Sequence, residues 1–206
     1  MNVRLSDLEA ANGSERREPS KPRGLKKLLS VAAAEVQAIH PRYLFCQFFI
    51  SCLPHNSFCR VRTVLYRLAG FQIGKGTLIL GKLSLTSDGP IASMFSIGAG
   101  SRVNAPFYAE LNAPIIIGSN VSIGHNVVFI TTDHDTSNPI DRAGTPKFDR
   151  IVIEDGAWIG ACVTIFPGVT IGRASVVSAG SVVSQSVLAN RLVGGVPARP
   201  IKTLDG

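Results

Sequence analysis

The chain is short of charge. Asp, Glu, Lys and Arg make up 17% of its 206 residues, against 45% hydrophobic. That balance excludes disorder throughout, because so apolar a chain buries enough surface to offset its ordering entropy. Cysteine is scarce as well. Cys46, Cys52, Cys59 and Cys162 form no CxxC pair, and three of them crowd into the first third. A secreted disulfide framework is denser, so reduced thiols in a cytosolic compartment are expected. Cys52, His55 and Cys59 lack the fourth ligand that a zinc site takes. Long apolar runs are missing too. The longest, Tyr43 to Leu53, is interrupted by Gln47 and Ser51, and crossing a bilayer takes about 20 residues. Met1 to Ala11 carries Asp7 and Glu9 and no apolar core, so no signal peptide is read there.

What charge there is lies unevenly. The formal net charge is +7. Residues 1–75 hold 12 basic and 5 acidic side chains, and residues 76–206 hold 9 of each. A nucleic-acid-binding domain lines a folded face with cations. Here the larger part is neutral, and no nucleic-acid partner is expected.

Residues 12–24, rich in charge and proline, have almost nothing to bury, so 1–24 reads as a disordered leader. From Leu25 the apolar positions Leu28, Leu29, Ala32, Ala33, Val36 and Ile39 keep helical spacing up to Pro41. A second apolar segment, 43–53, ends at Pro54. A third, Phe58, Val61, Val64, Leu65 and Leu68, again has helical spacing, with Arg60, Arg62 and Arg67 interleaved and Gly70 as a C-terminal stop. Residues 25–72 therefore form a helical appendage. It suits two roles, capping the end of a core and resting on an anionic membrane face through residues 25–70.

Beyond Ile73 a repeat begins. Aliphatic residues recur every six positions at Ile73, Ile79, Leu85, Ile91, Ile97 and Val103, slip by two, and resume at Leu111, Ile117, Ile123 and Phe129. After a gap they continue at Ile153, Ile159, Ile165, Ile171, Val177 and Val183. Sixfold recurrence is neither helical nor plain strand alternation, and points to a solenoid. Each hexad gives a short strand and a turn, and three hexads, about 18 residues, close one triangular coil. The unbroken stretch 153–188 is read as two full coils. The solenoid is placed at 73–190, with a loop insertion at 130–152 and a C-terminal tail at 191–206.

The chain from about 73 to 204 resembles the hexapeptide-repeat acyltransferases, in the branch of the galactoside and maltose O-acetyltransferases. The passages that carry the likeness are Ile153-Glu154-Asp155-Gly156-Ala157-Trp158-Ile159-Gly160, Phe166-Pro167-Gly168-Val169-Thr170-Ile171-Gly172 and Gly194-Gly195-Val196-Pro197-Ala198-Arg199-Pro200-Ile201-Lys202. The resemblance implies a mainly β fold, a left-handed parallel β-helix with an N-terminal helical appendage. It also implies an acetyl-CoA donor, a sugar acceptor and a homotrimer with sites between subunits. The stretch Arg60 to Gly76 is similar to acetyltransferases that modify surface polysaccharides.

The break in the repeat is the natural place for chemistry, since insertions in a solenoid gather on one side. It opens with Thr131-Thr132-Asp133-His134-Asp135. Acetyl transfer to a hydroxyl needs a base, and a neutral imidazole serves near pH 7. His40 and His55 lie in the appendage and His125 in a hexad turn, which leaves His134, where the family's catalytic histidine also falls. Asp133 and Asp135 flank it. Strand neighbours point to opposite faces, so neither is assumed to reach the ring, and Asp135 is the favoured support. By the resemblance, Asn104 and Asn112 contact the acceptor, Asn112 standing where relatives place an aspartate, and Trp158 lines the tunnel. Gly160, Ala161, Ala179, Gly180 and Ser184 would bed coenzyme A, with Arg199 and Lys202 on its phosphates.

These residues point to an acetyl-CoA-dependent O-acetyltransferase acting on a sugar hydroxyl, in a surface polysaccharide or its precursor. Its expected place is the cytoplasm, at the inner membrane face. No metal is expected to be required. The alternatives are a serine O-acetyltransferase, whose helical N-terminal domain is longer, and a non-catalytic scaffold. A metal-dependent carbonic anhydrase of this fold needs three histidine ligands, and the repeat region offers only His125 and His134.

Overall fold

The hexads become rungs. In a computed structural model, which describes residues 40–205, strands of two to six residues stack into three sheets. The expected leader 1–24 and the helical spacing from Leu25 to Ile39 lie outside the described residues. The first sheet orders Gln72–Ile73, Phe95–Ile97, Ile115–Ile117, Ile151–Ile153 and Thr170–Ile171. The second begins at Leu78–Ile79 and passes through Arg102–Val103, Ser122–Ile123, Trp158–Ile159 and Val176–Val177 to Arg191–Gly195. The third holds Leu83–Thr86, Phe107–Glu110, Val127–Phe129, Thr164–Ile165 and Val182–Val183. All these pairings are parallel, as in a β-helix.

The inward hexad positions are where the periodicity puts them. Ile79, Ile97, Val103, Ile117, Ile123, Phe129, Ile153, Ile159, Ile165, Ile171, Val177 and Val183 are all buried. Each contributes roughly 1.5–3 kcal/mol. An aromatic column runs through the first coils, with ring centroids 6.1 Å apart for Phe71 and Phe95, 6.0 Å for Phe95 and Phe107, and 5.2 Å for Phe107 and Phe129.

Coil length is less uniform than three hexads. Ile73 stands opposite Ile97, 24 residues on, because Ile91–Met94 forms a 3-10 turn that adds a fourth hexad with Ile91 inward. Ile97 stands opposite Ile117, 20 residues on, where the longer strand Phe107–Glu110 absorbs the slip of two. Ile153 to Ile171 is the regular 18. The next coil shortens to 16, bridging Ile171 to Val187, so residues 171–188 are not a second full coil. The corners repeat as well. Gly76, Gly100, Asn120, Gly156, Ala174 and Asn190 all have positive φ and stand one coil apart, as do Asn126, Cys162 and Gly180.

The solenoid also runs past 190. Arg191–Gly195 joins the second sheet in parallel, and Ala198–Thr203 folds back antiparallel along its edge.

At the other end sit two helices, α1 (Pro41–Ser51) and α2 (Cys59–Leu68). Helix α1 buries Tyr43, Cys46 and Ile50, one face of a helical turn. Helix α2 meets the solenoid with its polar side. Its apolar stripe, Val61, Val64 and Leu68 with Phe58 before it, is exposed, and Arg62, Thr63 and Tyr66 are buried. The first coil explains this, since its edge presents unpaired backbone groups. Arg62 donates to the carbonyls of Ile79 and Pro54, Thr63 to that of Thr77, and Arg67 to those of Ile73 and Gly74. The phenol oxygen of Tyr66 accepts from the Leu83 amide at 2.8 Å. Leaving such groups buried without partners costs about 1–3 kcal/mol each. The polar face of α2 is therefore the one the fold takes.

Candidate active site

The break in the repeat is a hairpin. Thr132–His134 pairs antiparallel with Pro146–Phe148, Thr132 opposite Phe148 and His134 opposite Pro146. The excursion is shorter than expected at its far end, because Ile151–Ile153 is a buried rung of the first sheet. Alternation along a strand sends Thr132, His134, Pro146 and Phe148 to one face and Asp133 and Lys147 to the other.

His134 is exposed, and its Nδ1 lies 3.0 Å from the carbonyl oxygen of Gly144. A carbonyl only accepts, so in the neutral ring Nδ1 carries the proton and Nε2 the lone pair. No carboxylate is needed to fix the tautomer. Asp135, expected to support the ring, turns away. Its Oδ1 accepts from the Ser137 amide at 2.9 Å and its Oδ2 stands 3.9 Å from Lys147 Nζ. The Ser137 amide, then the Ser137 side chain and Lys147, hold this carboxyl below its usual value. Asp133 accepts from the backbone amide of His134 at 2.8 Å and braces the strand from its own side.

Gly144 is a glycine for lack of room. A Cβ there would stand 2.9 Å from the carbonyl oxygen of Asp135. Hydrogen bonds from Gly144 N to Asp135 O and from Asp135 N to Thr145 O draw the two strands together at this point.

A polar cluster underlies the hairpin. Glu110 Oε1 accepts from Thr132 Oγ1 at 2.7 Å and from Asn112 Nδ2 at 3.1 Å. Asn112 Oδ1 accepts from the Asp88 amide, so its amide group is engaged on both sides. The hydroxyl of buried Thr131 donates to the carbonyl of Glu110 and accepts from the amides of Asn112 and Ala113.

The other expected residues fall at two corners. Asn104, Gly160, Ala161, Ala179 and Gly180 follow strands of the second sheet and share one edge of the solenoid. Asn104 Nδ2 donates to the Ile123 carbonyl, while the Gly160 and Gly180 amides donate to the carbonyls of Val177 and Ala161. Trp158 projects from the same sheet and is 57% exposed, the exposure expected of a residue that meets something outside the coil. A Cβ on Gly160 would lie 2.6 Å from the Ala179 amide nitrogen, whereas one on Gly180 would meet nothing within 4 Å. Arg199 stands opposite Gly194, at the end of this same edge, and Lys202 opposite Leu192. Ser184 lies at the other corner. It follows Val182–Val183 of the third sheet, at the corner from which the hairpin emerges two coils earlier. Among the described residues, no group of three or more His, Cys, Asp or Glu side chains is placed to hold a metal ion.

Residues 150–185 match the model of the hexapeptide repeat of succinyl-transferase. The solved hexapeptide-repeat acetyltransferase of Vibrio cholerae O1 biovar eltor, complexed with acetyl coenzyme A, is similar at 32% identity and a TM-score of 0.70. The match covers 85% of this chain and 92% of that one.

The chain belongs to the hexapeptide-repeat acyltransferases.

Within that family it is 37% identical to the galactoside O-acetyltransferase of Escherichia coli (strain K12) over 117 residues, 54% of this chain and 58% of the enzyme. The match thus spans less than two thirds of that relative's length. A galactoside acetyltransferase solved with coenzyme A is similar at 27% identity and a TM-score of 0.66, covering 80% of this chain and 81% of that one. The repeat marks the inward positions and leaves the roles of the other side chains unmarked. The sequence assigns no role to Gly144, Glu110 or Thr132. Only Gly144 left a trace, as a glycine beside the turn of an insertion.

Proposed function

We propose that the protein is an acetyl-CoA-dependent O-acetyltransferase acting on a sugar hydroxyl of a surface polysaccharide or its precursor. The observation that carries this reading is the 3.0 Å contact from His134 Nδ1 to the Gly144 carbonyl, which leaves Nε2 free as a base. Nε2 takes the proton of the acceptor hydroxyl as its oxygen attacks the thioester carbonyl carbon. The negative charge gathers on the carbonyl oxygen of the tetrahedral intermediate. The C–S bond then breaks, and the departing thiolate recovers the proton from the imidazolium. General base catalysis of this kind is worth about 10²–10⁴ in rate.

The donor's bed is the edge bearing Gly160, Ala161, Ala179 and Gly180, with Trp158 beside it and Arg199 and Lys202 toward its phosphates. Asn104 lies on the same edge, toward the acceptor. On one chain the third sheet separates this edge from the hairpin of His134. A homotrimer with sites between subunits would set the hairpin of one copy against the edge of its neighbour.

The enzyme's proposed place is the cytoplasmic face of an anionic membrane. Leu44, Phe45, Phe48 and Phe49 on α1 are exposed, as is the stripe of α2. No acidic residue occurs between Glu35 and Asp88, whereas Arg42, Arg60 and Lys82 are exposed there. Aromatic and aliphatic side chains with a basic rim are what an anionic bilayer surface takes. No described helix is long and apolar enough to cross a membrane.

The deciding experiment is thiol release from acetyl-CoA across simple sugars, nucleotide sugars and amino acids. A sugar acceptor is expected, with turnover by His134→Ala lower by about 10²–10⁴-fold and thermal stabilisation by CoA retained. Turnover retained by the variant would remove His134 from its role. Serine as the preferred acceptor would replace the sugar.

A further inference from the structure

We propose that Glu110 supplies the carboxylate that binds the acceptor, on the hairpin face that carries His134, with Phe148 as the wall beside it. The assignment rests on the sugar reading above and names the group that recognises the sugar.

Three observations meet on that face. Thr132 and His134 are two residues apart on one strand and point the same way, which separates their side chains by roughly 6–7 Å. Glu110 Oε1 is held beside the first of them, by Thr132 Oγ1 at 2.7 Å and Asn112 Nδ2 at 3.1 Å. Phe148 is directly opposite Thr132 in the register and is 51% exposed. An imidazole, a carboxylate and an open aromatic ring thus share one surface, at a spacing that one hexose ring bridges.

The chemistry of the carboxylate fits an acceptor better than a brace. An ionised carboxylate accepts at about four lone-pair positions, and both hydrogen bonds from its neighbours fall on Oε1. Oε2 has no hydrogen-bond partner among the described residues. A sugar hydroxyl is a donor of the kind such an oxygen takes, and a charge-assisted hydrogen bond of this sort is a strong one. Asn112 does not serve in its place. Its amide is engaged by Glu110, Thr132 and the Asp88 backbone, so it holds Glu110 rather than the acceptor. Phe148 offers an apolar surface to the C–H side of the ring, while Nε2 of His134 reaches the hydroxyl that reacts.

The test is steady-state kinetics of Glu110→Gln with acetyl-CoA and the methyl glycosides of glucose, galactose and N-acetylglucosamine, each with its monodeoxy analogues. The variant keeps an acceptor oxygen for Thr132. Its acceptor KM is expected to rise about 10- to 100-fold, with kcat and the thermal shift given by CoA nearly unchanged. With the one deoxy analogue that lacks the bound hydroxyl, the difference between variant and wild type is expected to vanish. An unchanged acceptor KM, or a fall in kcat equal for every acceptor, makes Glu110 a brace for the His134 strand and overturns the assignment. Glu110→Asp withdraws the charge by one methylene, and the same KM rise is expected of it should the glutamine variant prove unstable. Should the wild type acetylate none of these glycosides while accepting another class of hydroxyl, the sugar reading fails and this assignment falls with it.

Discussion

The proton-bearing Nδ1 of His134 and the carbonyl oxygen of Gly144 are bound across the hairpin at 3.0 Å. The ring is therefore set by the main chain, and what matters at position 144 is the absence of a side chain. A methyl group there meets the Asp135 carbonyl oxygen at 2.9 Å. Gly144→Ala is expected to shift the carbonyl and lower kcat about 100-fold, the usual cost of a small misplacement of a catalytic group. Stabilisation by CoA should survive in a thermal-shift assay. Wild-type turnover by this variant would show that the contact does not orient the ring.

Asp135 faces Ser137 and Lys147 rather than the imidazole. Its carboxyl is held below its ordinary value of 3.8, chiefly by the Ser137 amide. A depressed carboxyl stabilises the fold above that ordinary value and loses its effect as pH falls through the folded one. That window lies entirely below neutral pH. Asp135→Asn is expected to leave the kcat–pH profile from pH 6 to 9 in place, and a displaced basic limb would return Asp135 to the role of partner.

Arg62 closes the top of the solenoid through the carbonyls of Ile79 and Pro54. Arg62→Met keeps much of the volume and removes both donors, at an expected cost of about 2–4 kcal/mol. Urea denaturation measures it. No loss of stability would mean that the edge finds other partners.

Burial is the main cause that pushes the Tyr66 phenol far above its usual range. For a group raised in the folded state, the stabilising effect is intact below the unfolded value and disappears as pH rises beyond it. Wild-type stability should accordingly fall above about pH 10, and more steeply than that of Tyr66→Phe. At neutral pH the same variant strands the Leu83 amide and is expected to cost about 1–3 kcal/mol. Parallel alkaline curves would exclude the phenol as the source.

The outward aromatic face of α1 is tested with phosphatidylglycerol vesicles. Replacing Phe45 and Phe48 together by Ser is expected to weaken co-sedimentation at least about tenfold without changing turnover on a soluble acceptor. Equal binding by wild type and variant would take the membrane from this surface.

Most of the solenoid was legible because its information is one-dimensional. An inward Ile159 or Ile171 must recur at fixed intervals or its coil does not pack. The corrections fall where spacing carries no such constraint. The extra hexad around Ile91 is a 3-10 turn that keeps the sixfold count, so the sequence does not mark it. In α2 the spacing left open which face is buried, and the backbone groups of the first coil decide it by taking Arg62 and Thr63 inward. At the site, His134 was visible from its place in the insertion. Its partner was not, since every residue owns a carbonyl and only folding selects that of Gly144. The corner of Ser184 was hidden for a related reason. Periodicity gives depth along the axis, and the corner a residue occupies depends on which strand precedes it.

The regular coil between Ile153 and Ile171 acts as a ruler. Neighbouring rungs stand about 4.8 Å apart, so the number of turns between Phe129 and Val193 sets how far Arg199 lies from the imidazole. Reach is therefore counted out in whole turns and changes only in steps of one. Removing residues 154–171, one complete turn, would draw the two ends closer by a single step while Ile117, Ile123 and Phe129 each kept an inward neighbour in the next coil.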